Sequence, residues 1–316
     1  MTHVAYLFPG QGAQTVGMGR DLYDEVPAVR DLYERANALL GFNLAARCFE
    51  GPAEELTRTE IAQPAILVTS LAVLTAAQAR LKDRWVPKAM AGLSLGEYTA
   101  LVAAGALTVD DGLKLVWARG QFMEEAARRQ PGTMASILGL GVEHVREICR
   151  TTGAELANLN SPDQLVISGP KAAVTAAAAL AKAAGATRAL ELSVSGAFHS
   201  ALMQPAAESL KAVLEATPVQ SPGVLVISNV TAQPHPAKPD AIRAALARQV
   251  TSPVRWEESM RVLLSLGIRT FVELGPGTVL KGLMRRIEPA AEVVSVQSLK
   301  DLQALEAKVG ASSPCS

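Results

Sequence analysis

The segment that most limits how this chain can fold is Gly92-Leu93-Ser94-Leu95-Gly96. The short apolar run Lys88-Ala89-Met90-Ala91 precedes it, and an apolar stretch reaching Ala106 follows. A strand that turns at once into a helix, with glycines flanking a serine, is the setting of a nucleophile elbow. The small residues permit a cramped turn that lifts Ser94 Oγ above the carboxyl edge of a sheet. The helix opening at Leu95 aims free N–H groups and its positive dipole end at the same spot. The Leu95 amide is therefore a natural donor to the oxyanion formed when Ser94 attacks a carbonyl.

The rest of the chain supplies the sheet that such an elbow needs. Val4-Ala5-Tyr6-Leu7-Phe8 reads as a buried strand ended by Pro9-Gly10-Gln11-Gly12, and further strands are expected at 224–228 and 270–273. Helical patterns at 21–40, 63–82 and 279–286 alternate with them, which implies a parallel sheet covered on both faces. Residues 130–193 follow a different rule. Strand 134–140, helix 142–150, strands 154–160 and 164–168, helix 171–184 and strand 187–192 give β-α-β-β-α-β, the ferredoxin-like order. The expected fold class is thus α/β. A hydrolase-like parallel-sheet large domain (1–129 and 194–309) carries an inserted ferredoxin-like small subdomain (130–193), followed by a flexible tail (310–316).

Composition narrows the function. Thirty Lys+Arg balance 30 Asp+Glu, so no global field favours nucleic acid or an anionic membrane, and 49% apolar residues exclude a disordered chain. The alanine-rich stretch 172–184 is the most membrane-like segment, but it is too short to span a bilayer as a helix. Cys48, Cys149 and Cys315 are odd in number and lack metal spacing. They fit a reducing compartment, no disulfide framework and no metal site. With no basic region before the first apolar run, a signal peptide is not expected, and a cytoplasmic location is.

A serine near its ordinary pKa needs a base. His3 is terminal, His144 lies among charges in the insertion, and His235 sits between prolines in a polar loop. His199, where the chain re-enters the large domain, is favoured by elimination and position. No aspartate stands out as its orienter: Asp110 and Asp111 follow the elbow helix, and Asp163 falls in the insertion. Gly275-Pro276-Gly277 lacks the Lys-Ser/Thr of a phosphate loop and reads as a tight turn.

Taken together, Phe8-Pro9-Gly10-Gln11-Gly12, Gly92-Leu93-Ser94-Leu95-Gly96-Glu97-Tyr98, Arg119-Gly120-Gln121-Phe122-Met123, Ala197-Phe198-His199-Ser200 and Glu273-Leu274-Gly275-Pro276-Gly277 resemble the blocks of malonyl-CoA:acyl carrier protein transacylases, in order, over about residues 4–290. Leu93 departs from the histidine that many members carry before the serine. The resemblance implies Ser94 as nucleophile, His199 as base and the Gln249 main-chain carbonyl as orienter, which accounts for the missing acid. It implies an oxyanion hole from the Gln11 and Leu95 amides, Arg119 on the substrate carboxylate and Gln63 lining the pocket. Phe198, in an Ala-Phe-His run, implies malonyl over methylmalonyl. The implied substrate is malonyl-CoA and the partner is acyl carrier protein with its phosphopantetheine, without a bound cofactor and with the chain a monomer. Lys281, Arg285 and Arg286, or Lys182 with Arg188, are candidate docking cations. A polyketide-pathway acyltransferase, a serine thioesterase and a catalytically silent docking module remain alternatives.

Overall fold

A computed structural model describes residues 3–81 and 85–311. The chain begins with β1 (Val4–Phe8), then α1 (Arg20–Glu25), α2 (Pro27–Leu40), α3 (Leu44–Glu50), α4 (Ala53–Thr57) and α5 (Thr59–Leu81). Next come β2 (Pro87–Gly92), α6 (Leu95–Ala103) and α7 (Val109–Arg129). The insertion holds β3 (Thr133–Leu138), α8 (Val142–Thr152), β4 (Glu155–Ser161), β5 (Gln164–Gly169), α9 (Lys171–Ala183) and β6 (Arg188–Glu191). The chain finishes with α10 (Gln204–Ala216), β7 (Leu225–Val226), α11 (Pro239–Gln249), α12 (Trp256–Ser265), β8 (Thr270–Leu274), α13 (Val279–Ile287), β9 (Glu292–Val296) and α14 (Leu299–Ala311).

Two sheets result. β7-β2-β1-β8-β9 is wholly parallel, and β4-β5-β3-β6 is antiparallel. All five β1 residues are buried, because both faces of the parallel sheet are covered. Val4, Tyr6 and Phe8 join the core that contains α5 and α7, while Ala5 and Leu7 face Trp256, Met260 and Leu280 on the other side. A strand buried on both faces needs a continuous apolar run rather than alternation, and Val4–Phe8 has one. The small sheet closes its own core around Ile137, Leu165, Ile167 and Ala177.

Several boundaries differ from those expected. The helical pattern at 21–40 is two helices, because Val26 is extended (φ −117°, ψ 106°) ahead of Pro27. The helix expected from 63 starts at Thr59, so Pro64 lies one turn inside it. Packing supports that first turn: a Cβ on Gly120 of α7 would sit 2.7 Å from Glu60 Cα. Lys82, the expected end of that helix, falls outside the described residues. The elbow helix stops at Ala103 rather than 106. β9 was not expected; Ser295 interrupts its valines, and among the described residues it pairs along one side, with β8. The last helix runs to Ala311, inside the expected tail, and residues 312–316, with Cys315, lie outside the described residues. The most membrane-like helix is α5, not the alanine-rich α9, yet 83% of its apolar window is buried inside the protein.

The insertion also bonds directly to the rest of the chain. Leu159 N donates to Val254 O (2.9 Å) and Val254 N to Ala157 O (2.8 Å), which pins the segment following α11 onto β4. Ala201 N donates to Glu155 Oε1 (3.0 Å), and Arg286 pairs with Asp163 (2.6 Å).

Candidate active site

β2 ends at Gly92, beside Phe8 of β1 in the parallel register, and α6 begins at Leu95. Ser94 between them holds φ 51° and ψ −101°, a conformation that costs a non-glycine residue about 1–3 kcal/mol and persists only under surrounding constraint. The glycines leave no room for anything else. A Cβ on Gly92 would lie 1.9 Å from the Gly96 carbonyl carbon, and one on Gly96 would lie 2.1 Å from Phe8 O. Gly10, in the loop after β1, packs as tightly: its Cβ would meet Leu93 O at 2.4 Å. The Gln11 loop and the start of α6 therefore abut. Leu95, as the first helical residue, has an amide without an intrahelical partner. The Gln11 side chain is tied down by Nε2 donating to Thr59 Oγ1 (3.2 Å).

His199, also at positive φ (58°), brings Nε2 to 2.8 Å from Ser94 Oγ. Its Nδ1 lies 2.9 Å from Gln249 O. A carbonyl only accepts, so Nδ1 carries the proton and Nε2 is left to accept from the serine hydroxyl. Burial first, and the Arg119 charge second, push the His199 pKa down to about 4, against the opposing pull of the Gln249 and Ser252 carbonyls and Glu97. The ring is neutral at pH 7, and a main-chain carbonyl takes the place of a triad acid.

Arg119 projects from the middle of α7 and is 1% exposed. Nη1 donates to Gln63 Oε1 (2.7 Å), and Nη2 donates to Ser94 Oγ (2.9 Å) and Gln249 Oε1 (3.0 Å). Its guanidinium also lies over the Tyr98 ring, 5.4 Å from the centroid. Nε is buried with no partner among the described residues. Burial lowers the Arg119 pKa, yet a guanidinium keeps its charge at neutral pH. A desolvated cation held by neutral oxygens, with no carboxylate on its fork, is arranged to receive an anion. Gln63, fully buried, also donates Nε2–H to Met123 Sδ (3.4 Å). Phe198 is 6% exposed and lies in the core of the large domain, with its Cε1 3.4 Å from where a Gly196 Cβ would be.

Behind these residues is a polar layer that sequence reading missed. Asn229 Oδ1 accepts from the Ser94 amide (2.7 Å), and its Nδ2 donates to Gly92 O (2.8 Å), so it clamps both sides of the elbow. Glu97 and His235 meet at 2.6 Å, both fully buried. The expected polar loop around His235 instead folds inward, with Ile227 bridged to Pro234 and His235 N donating to Val226 O (2.8 Å). The glutamate stood inside a recognised block, but its partners lie more than 130 residues away, and no local pattern joins them.

The other candidates sit apart. Lys281 and Arg285 are exposed on α13, Arg286 is committed to Asp163, and Lys182 and Arg188 are exposed on the insertion. The Glu273 carboxylate caps α13, accepting from the amides of Leu280 (2.8 Å) and Lys281 (3.2 Å), so the Gly275-Pro276-Gly277 turn is structural. A groove of about 460 Å³, lined by Glu155, Pro253, Arg255 and Glu258, lies at the junction with the insertion and contains none of the residues around Ser94. Among the described residues no group of three or more His, Cys, Asp or Glu could hold a metal.

Residues 5–304 match the family model described as an acyl transferase domain. The chain is 46% identical over 309 residues to the malonyl CoA-acyl carrier protein transacylase of Bacillus subtilis strain 168, covering 96% of each protein. It superimposes on the malonyl CoA-acyl carrier protein transacylase of Coxiella burnetii with a TM-score of 0.93 and 38% identity, covering 98% of each chain. A malonyl-transacylase solved in complex with its holo type II PKS acyl-carrier protein gives a TM-score of 0.93 and 40% identity, covering 97% of this chain and 100% of that one.

Proposed function

The chain belongs to the acyl transferase domain family, and on that premise we propose that it moves malonyl from malonyl-CoA to the phosphopantetheine thiol of acyl carrier protein, supplying fatty-acid synthesis. The observation that carries this reading is the contact of one serine with two groups of different purpose. His199 Nε2 stands ready to take the Ser94 proton, and Arg119 stands ready to hold a carboxylate beside it.

Malonyl-CoA enters with its free carboxylate on the Arg119 fork, which turns Nη2 from Ser94 Oγ to the substrate. Ser94 Oγ attacks the thioester carbonyl as His199 Nε2 removes its proton, while the Gln11 and Leu95 amides receive the negative oxygen. Collapse expels coenzyme A, whose sulfur takes the proton back from His199, and malonyl remains as an ester on Ser94. The carrier's thiol then gives its proton to His199 and attacks the ester, and as the acyl–oxygen bond breaks His199 passes that proton to Ser94 Oγ, so malonyl leaves on the carrier and the serine is free. Each half-reaction returns the histidine to its neutral form. Binding of the substrate carboxylate also offsets the Arg119 charge that depresses His199, so the base strengthens when a dicarboxylic half-thioester is bound.

Phe198, beside the base in sequence, is read as filling the space an α-methyl branch would need, and Gln63 as steadying Arg119. The domain division at 130 and 194, a cytoplasmic location and a monomeric chain without bound cofactor belong to this reading, and the zero net charge fits a chain that engages neither nucleic acid nor an anionic membrane; light scattering checks the monomer. The functional test supplies malonyl-CoA with holo or apo acyl carrier protein. Malonyl should appear on the holo form only; free malonate released at a rate indifferent to carrier would mark a thioesterase instead. The neighbour bound to a type II PKS acyl-carrier protein favours one second reading, the same chemistry toward a polyketide carrier. Comparing kcat/KM for the two carrier types separates them.

A further inference from the structure

Glu97 is a carboxylate in a place with no solvent, directly behind the reacting serine. It accepts three N–H donors: Gln249 Nε2 (2.6 Å) and Asn229 N (3.0 Å) on Oε2, and His235 Nε2 (2.6 Å) on Oε1. His235 Nδ1 is buried with no partner among the described residues, as expected of a neutral ring whose proton is on Nε2. The Gln249 side chain can lie only one way round, because the guanidinium it touches only donates and the carboxylate only accepts. Its Oε1 therefore faces Arg119 (3.0 Å) and its Nε2 faces Glu97 (2.6 Å). One amide thus stands between a buried cation and a buried anion.

That spacing has a consequence for binding. A carboxylate directly on the Arg119 fork would satisfy it and occupy the place of the substrate's own carboxylate. Set back by one amide, it balances the charge and leaves the fork open. We propose that Glu97, fixed by His235, is the counter-charge of Arg119: a positioning residue that holds the arginine in place without occupying it and limits how tightly a carboxylate-bearing acyl group binds. This rests on Arg119 gripping the substrate carboxylate.

The experiment measures kcat and KM for malonyl-CoA and acetyl-CoA in the unaltered chain, Glu97→Gln, Glu97→Asp, Arg119→Gln and the Glu97→Gln/Arg119→Gln double variant. Glu97→Gln keeps the shape and removes the charge, so the KM for malonyl-CoA should fall about tenfold, with the acetyl-CoA KM unmoved, because like-charge repulsion across a dry site is lifted. Adding Glu97→Gln to Arg119→Gln should leave the ratio of the two KM values unchanged, because without the guanidinium the malonyl carboxylate is no longer held within range of Glu97. Glu97→Asp retains the charge, so kcat should fall while the malonyl-CoA KM stays within about twofold, a result that decides the matter even if Glu97→Gln does not fold. Equal changes for both substrates in Glu97→Gln, or a tenfold lower malonyl-CoA KM in Glu97→Asp, would overturn the proposal. If Arg119→Gln alone leaves the malonyl-to-acetyl preference intact, the parent reading of Arg119 has failed instead.

Discussion

Ser94 Oγ lies 2.8 Å from a neutral imidazole and 2.9 Å from a guanidinium, and the titration of the imidazole depends on the charge of the guanidinium. His199 must be neutral to accept a proton, so the acid limb of kcat/KM for malonyl loading should lie near pH 4 rather than near 6.5. Arg119→Gln removes one of the two causes of that depression. Its acid limb should move upward, toward the ordinary histidine value, while malonyl loading drops about a hundredfold and approaches acetyl loading. Stopped-flow loading measured from pH 4 to 8 checks both; an unmoved limb contradicts the coupling. The meeting of Ser94 with His199 was legible from pattern and elimination, and the place of Leu95 at the start of α6 from helix geometry. The Gln249 carbonyl on His199 Nδ1 came through family likeness, since a main-chain oxygen leaves no side-chain signature. Glu97 and His235 were illegible as a pair because the contact joins α6 to a loop near β7.

At the scale of elements, the strand-turn-helix around Ser94 was readable because each step has a local cause. An apolar run makes β2, two glycines make the turn, and a second apolar run makes α6. Its tightness was not readable, since the atoms that crowd Gly96 belong to β1. Gly96→Ala forces a Cβ to 2.1 Å from Phe8 O, so the β1–α6 contact must open. The variant should lose about 3 kcal/mol of stability in urea titration, with malonyl loading at least tenfold lower. Unchanged stability would mean that the elbow is more pliant than its packing indicates. The insertion was equally legible in its β-α-β-β-α-β order. The hydrogen bonds by which β4 grips Val254 and Ala201 were hidden because residues nearly 50 or more positions apart form them.

At the scale of the molecule, the buried His199 ties stability to pH. The unfolded chain binds a proton at this histidine below about pH 6.5, and the folded chain does not until about pH 4. Stability should therefore climb as pH rises from 4 to 6.5, by roughly 3 kcal/mol from this group, and stay level above. His199→Gln should flatten that part of the profile in urea titrations at pH 4.5 and 7. Carrier recognition belongs to this scale too. Lys281 and Arg285 are exposed on one helix, whereas Arg286 is tied to Asp163, so two cations of the expected trio are accessible to an acidic carrier. Reversing both charges should raise the carrier KM about tenfold at low salt, with the effect fading as salt is added. An unchanged carrier KM would move docking elsewhere.

The central claim, that malonyl passes through Ser94 with Arg119 and His199 in attendance, is tested most directly by trapping the intermediate. The protein is mixed with radiolabelled malonyl-CoA without carrier, quenched in acid, digested, and its peptides mapped by mass spectrometry. Close to one malonyl group per chain is expected on Ser94, absent from Ser94→Ala and discharged when holo acyl carrier protein is added before the quench. Label on any other residue, or label undiminished in Ser94→Ala, would contradict the account.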